Sequence, residues 1–119
     1  MRNSFHTHEN DYYAKFHMTI EKKNKQMKAI WNNTVIAESN ETIIIEFNHY
    51  FPADSVNMEY LKKSSFQTTC PWKGVASYYD IVVDGRENHE AAWYYPEPKL
   101  KAHRIKGYIA FWKGVEIIE

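Results

Sequence analysis

From Met27 to Glu119 the apolar residues come in short segments separated by turn signals, and no segment between two of them is long enough for the helix that a parallel crossover needs. This feature directs the chain towards antiparallel β structure. Residues 29–31 and 34–37 flank Asn32-Asn33, whose side chains tolerate the left-handed conformations of a two-residue hairpin. Residues 42–47 (TIIIEF) are rich in β-branched side chains and predict a core strand. The segment Asn48-His49-Tyr50-Phe51-Pro52 is expected to leave the sheet, because Pro52 cannot donate to a ladder and pushes Phe51 towards extended backbone. Ser55 or Asp54 can cap a short helix over residues 56–63, and residues 66–69 extend again.

Residues 75–83 (VASYYDIVV) run into Asp84-Gly85, the strongest hairpin signal in the chain. Residues 91–95 (AAWYY) stop at Pro96-Glu97-Pro98, residues 100–105 predict one or two helical turns, and residues 108–112 and 115–118 predict a last hairpin about Lys113-Gly114. The expected fold is all-β: a small antiparallel two-sheet or partly open barrel domain with one or two short helices.

Length and composition bound the rest. With 119 residues and 44% hydrophobic content the chain can build one core, and 16% aromatic residues argue for an ordered module. The single cysteine, Cys70, excludes an internal disulfide and a multi-cysteine zinc site. Fifteen basic residues balance fifteen acidic ones, which removes the electrostatic case for nucleic acid. No apolar run suits a membrane span, residues 1–11 carry none that suits a secretion signal, and the cytoplasm is the expected compartment. Residues 1–26 hold three of the six histidines and a net charge of +2, and read as an N-terminal extension preceding a domain at 27–119. Within it Tyr12, Phe16 and Ile20 share a helical face, while Phe16, Met18 and Ile20 would equally share a strand face.

Three segments combine polar chemistry with aromatic rings. In Cys70-Pro71-Trp72-Lys73-Gly74 a thiolate beside Lys73 or a histidine would be favoured by the opposite charge, whereas a lone cysteine is also a common buried residue. His49 and Tyr50 lie in the bend NHYFP, with Glu46 placed three residues earlier to fix the imidazole. In the third segment Tyr94 and Tyr95 leave opposite sides of a strand, so one hydroxyl can reach a pocket, with Glu97 and Lys99 on its rim. Trp31, Trp72 and Trp112 each precede a turn at intervals of about 40 residues. Zincin, calcium-loop, Walker A and dinucleotide patterns are absent, and the reading predicts no metal and no cofactor.

The motifs MKAIWN (27–32), NHYFP (48–52), CPWKG (70–74), YYD (78–80), AAWYYPEPK (91–99) and GYIAFW (107–112) resemble the signature of the family catalogued as domain of unknown function 427, over about residues 27–118. The resemblance implies a fold of antiparallel sheets packed on one another, similar to the Mss4-like or β-tent arrangement. The zinc of that arrangement does not carry over to a chain with one cysteine. The leading functional expectation is a module binding a small polar molecule or a peptide through His49, Tyr50, Cys70, Trp72, Lys73, Tyr94, Tyr95, Glu97 and Lys99. The alternatives are an enzyme of group transfer or hydrolysis using His49, Cys70 or Lys73, and a structural domain, monomeric or homodimeric.

Overall fold

The computed structural model describes residues 20–22 and 24–119, which form two antiparallel sheets. The strands are β1 (Ile20–Lys22), β2 (Met27–Trp31), β3 (Thr34–Ser39), β4 (Ile43–Ile45), β5 (Asn48–Pro52), β6 (Leu61–Cys70), β7 (Gly74–Val83), β8 (Arg86–Tyr94), β9 (Tyr108–Phe111) and β10 (Glu116–Ile118). Seven of them make one sheet in the order β1-β4-β5-β9-β8-β7-β6, and β10-β2-β3 make the other. All pairings are antiparallel, as the turn chemistry predicts.

Two of the expected hairpins close as read. Asn32-Asn33 joins β2 to β3 with φ of 52° and 59°, and Asp84-Gly85 joins β7 to β8 with φ of 51° and 76°. Both central residues of each turn are left-handed, the condition for a two-residue turn that follows the strand twist. The two turns are tied together, since Asn32 Nδ2 donates to the Val83 carbonyl and Arg86 donates to Asn32 Oδ1 while lying over the Trp31 ring.

Three local expectations are corrected. NHYFP does not leave the sheet: it is β5, held between β4 and β9, with Pro52 at its last position, where the ladder ends. The helix expected over 56–63 is replaced by two single 3-10 turns, Ala53–Ser55 and Met58–Tyr60, after which the chain enters β6 at Leu61. Lys113-Gly114 is a left-handed turn, but β10 does not return along β9; it crosses to the small sheet and pairs with β2. The large sheet also takes in β1 ahead of Met27, with Ile20 paired to Ile45 and packed against the core that includes Ile43 and Ile45. The reading of Tyr12, Phe16 and Met18 falls outside the described residues.

Strand alternation gives the large sheet two distinct faces. Phe51, Ile81, Val83, Ile109 and Phe111 face the small sheet, where Met27, Ala29, Ile36 and Ala37 close an apolar core. On the opposite face Tyr50, Tyr78, Trp93, Tyr95 and Ala110 meet Ile43, Ile45 and the 3-10 segment Leu100–Ile105, which contributes Ala102 and Ile105. The fully buried residues of the first face are apolar, with Trp31, Tyr60, Tyr79 and Tyr94 packed at its margin. The second carries hydroxyl and indole groups, and a cleft opens there.

Candidate functional site

The site starts from a turn that the residue types do not advertise. β4 and β5 are joined by Glu46-Phe47, both left-handed at φ of 54° and 69°, with Ile45 paired to Asn48. Side chains with a Cβ resist this conformation at a cost of about 1–2 kcal/mol per residue. Phe47 gains no packing in return, since it is 96% exposed. Glu46, however, reaches across to the β6–β7 turn, where its two carboxylate oxygens accept from Trp72 Nε1 at 3.2 Å and from the Lys73 ammonium.

Lys73 is only 5% exposed. Its Nζ lies 5.5 Å from the Trp72 ring centroid and 5.6 Å from that of Tyr95, so the cation is held between one carboxylate and two ring faces. Two hydrogen bonds to backbone carbonyls fix this corner. The Lys73 carbonyl accepts from Lys99 N at 2.9 Å, and Lys99 Nζ donates to the Pro71 carbonyl at 2.7 Å. Gly74, at φ of +114°, lets the 96–98 corner close in, because a Cβ there would sit 3.3 Å from the Glu97 carbonyl oxygen.

An open cleft of about 290 Å³ lies against this cation, lined by Asn48, Lys73, Tyr78, Trp93, Tyr95 and Trp112. Its walls are positioned by hydrogen bonds pointing away from it. Trp93 Nε1 donates to the hydroxyl of the buried Tyr50 at 3.1 Å, with the two rings edge to face. Trp112 Nε1 donates to the Glu90 carbonyl at 2.6 Å, and its ring meets Trp93 edge to face at 5.8 Å. Glu90 can present that carbonyl because β8 bulges there, at φ of 56°, with its N–H accepted by Asp80. The Tyr78 hydroxyl shares a 3.0 Å hydrogen bond with Thr68 Oγ1. Burial pushes the Tyr50 and Tyr95 phenols well above the usual tyrosine range, so both remain neutral hydroxyls through the physiological pH range.

The residues singled out from sequence divide into three groups. Lys73 and Tyr95 line the cleft, while Tyr50 and Trp72 stand directly behind it, bonded to Trp93 and Glu46. Cys70 is half-buried and packs with Trp72 in the same aromatic core. His49, Tyr94, Glu97 and Lys99 are not in the lining. His49 shares the Phe51 side of β5, opposite Asn48 and Tyr50, and its Nδ1 pairs with Thr42 Oγ1 at 3.0 Å. Tyr94 faces the small sheet's side and stacks on Tyr79 at 4.7 Å. Glu97 and Lys99 are exposed; Glu97 meets the corner through its carbonyl, and Lys99 through its backbone N–H and its ammonium on the Pro71 carbonyl. Glu46, expected to orient His49, places its carboxylate on Trp72 and Lys73.

Asn48, Tyr78, Trp93 and Trp112 also line the cleft, and the local chemistry of their segments does not mark them. The strand alternation of NHYFP, YYD and AAWYY could have shown that Asn48, Tyr78 and Trp93 lie on one face with Tyr95, once NHYFP is read as a strand. Among the described residues no cluster of His, Cys, Asp and Glu is arranged to hold a metal ion. No helix among them is long and apolar enough to cross a membrane.

Comparison with known proteins agrees with the motif pattern. No curated protein matches the chain. Residues 19–119 match the family described as Domain of unknown function (DUF427), a span that takes in β1 and every strand after it. This chain therefore belongs to the DUF427 family.

Proposed function

We propose that this protein is a binding module whose ligand is a small polar molecule with a flat or apolar body, held in the cleft between Lys73 and Trp112. The observation that carries the reading is the Lys73 ammonium, drawn into the aromatic face by Glu46 and bordered by an open cavity instead of packed side chains. A buried ion pair is a weak source of stability, because desolvation offsets most of its Coulombic gain. A strained turn that sustains such a pair at a cleft fits a site kept for recognition. The cavity volume is at the lower end of the range for small-molecule sites, which favours a small molecule over a peptide.

The enzyme alternative needs a base or cation at the Cys70 thiol. Lys73 is committed to Glu46, and His49 lies on the other side of β5 with Thr42, so the geometry favours binding. The cytoplasm is the compartment that suits this reading, since the one cysteine is a free thiol.

The test is a ligand-detected NMR screen of monocyclic and bicyclic polar compounds against the protein and Trp112→Ala. Trp112 is 45% exposed, so its truncation leaves the core intact while removing a cleft wall. The reading expects hits whose binding saturates and is lost in Trp112→Ala. A screen whose hits bind equally to both proteins would overturn it.

A further inference from the structure

The polar groups of the cleft divide by whether the protein itself uses their hydrogen bonds. Both indole N–H groups are spent, on the Tyr50 hydroxyl and the Glu90 carbonyl, and the Tyr78 hydroxyl is shared with Thr68. Trp93, Trp112 and Tyr78 therefore offer a ligand ring surface. Three other groups keep capacity among the described residues. The Tyr95 hydroxyl has no hydrogen-bond partner among the described residues, although Tyr95 is only 5% exposed and lines the cleft. The Lys73 ammonium has three protons and one hydrogen-bond partner, Glu46. Asn48 donates through Nδ2 to the Glu46 carbonyl at 3.4 Å, which leaves Oδ1 as an acceptor. Buried hydroxyls are almost always hydrogen-bonded, so the Tyr95 hydroxyl is the group that most requires a partner from a ligand.

Charge narrows the choice. Glu46 already neutralises Lys73, so an anionic ligand would gain little net attraction and would lose its hydration on entering. A neutral acceptor meets no such penalty. Two donors and one acceptor beside aromatic walls match the carbonyl oxygen and N–H of an amide carried on a planar ring.

We propose that the ligand is a small, neutral, planar amide or lactam whose carbonyl oxygen accepts from Tyr95 and Lys73 and whose N–H donates to Asn48 Oδ1, with its ring among Trp93, Trp112 and Tyr78. This rests on the cleft being a binding site. It adds a specificity that the binding reading does not require: amide over acid, and free N–H over alkylated nitrogen.

The experiment titrates three probes, benzamide, benzoate and N,N-dimethylbenzamide, into the full-length protein by ligand-detected NMR, and repeats benzamide with Tyr95→Phe. Benzamide is expected to saturate the cleft, with benzoate and dimethylbenzamide at least about tenfold weaker, because a site built around a donor and an acceptor rejects analogues that leave them unpaired. Tyr95→Phe is expected to weaken benzamide about tenfold without lowering Tm, since it removes a buried hydroxyl that the protein leaves unbonded. If Tyr95→Phe does not fold, the three-probe order in the natural protein still decides. Benzoate or dimethylbenzamide binding as tightly as benzamide, with Trp112→Ala abolishing it, overturns the amide proposal and leaves the binding module standing. Failure of all three to bind, together with an empty wider screen, overturns both.

Discussion

Phe51 and Tyr50 are neighbours on β5, both fully buried, yet they belong to cores of opposite character. On the Phe51 face the large sheet meets the small one through aliphatic side chains and the edge-to-face pair of Phe51 with Phe111 at 5.6 Å. On the Tyr50 face the same strands supply phenols, an indole and a paired ammonium, and the packing stops short at a cleft. Apolar burial is the larger and less directional source of stability, so the Phe51 face can hold the sheets together while the Tyr50 face spends packing on positioned polar groups. By the parity of its residues one sheet thus separates an apolar interface from the polar face that, on the proposed reading, serves recognition.

The comparison can be broken first by substitution. Phe51→Ala should lower unfolding free energy by about 3–5 kcal/mol, the largest effect of any change considered, because it leaves a void between the two sheets. Glu46→Gln should cost about 2 kcal/mol, less than a fully buried pair would, because the carboxylate is 35% exposed while the ammonium it leaves is not. Urea unfolding measures both. If Glu46→Gln cost as much as Phe51→Ala, the Tyr50 face would be a principal source of stability and the division of labour would fail. Replacing both members, Glu46→Leu with Lys73→Met, should recover part of the loss, and the double-mutant cycle isolates the pair.

Smaller effects sharpen the contrast. Tyr50→Phe should cost about 1–2 kcal/mol at neutral pH, because the buried Trp93 N–H loses its acceptor. It should also change the alkaline limb of stability. The folded-state pKa values of Tyr50 and Tyr95 are raised, mainly by burial, so their contribution is complete below about pH 10 and is lost as pH climbs beyond it and the unfolded chain releases its phenolic protons first. Tyr79 is raised in the same direction by burial and by Tyr94, and adds to the slope. Removing Tyr50 should make the decline shallower by up to about 1.4 kcal/mol per pH unit. An unchanged slope, followed by chemical denaturation at increasing pH with tyrosinate absorbance, would contradict burial as the cause. The smallest effect is a gain: Phe47→Gly should stabilise by up to about 1 kcal/mol, because an exposed left-handed position favours glycine. A loss there would mean that Phe47 makes a contact which its exposure conceals.

What was legible in the sequence follows the same physics. Asn32-Asn33 and Asp84-Gly85 announce their turns because their residue types adopt left-handed backbone at low cost. Glu46-Phe47 adopts the same geometry without those residue types, so TIIIEF reads on as strand and NHYFP as an exit; only the distant Trp72 and Lys73 explain the turn. Lys113-Gly114 declares a reversal, but turn chemistry does not say which sheet receives the next strand, and β10 goes to β2. Lys73 and Tyr95, which line the cleft, stand out in the local segment chemistry. Asn48, Tyr78, Trp93 and Trp112 depend on which faces of four separate strands and turns come together, which is a matter of register.

The most direct test of the division between faces uses the tryptophans as reporters placed on both. Trp93 and Trp112 line the cleft, whereas Trp31 packs on the core between the sheets beside Arg86. In a titration of isotopically labelled protein with benzamide, followed by two-dimensional NMR, the indole N–H signals of Trp93 and Trp112 should move together and saturate while that of Trp31 stays fixed. Movement of Trp31 with no saturable change at Trp93 or Trp112 would place recognition on the apolar face and contradict the account.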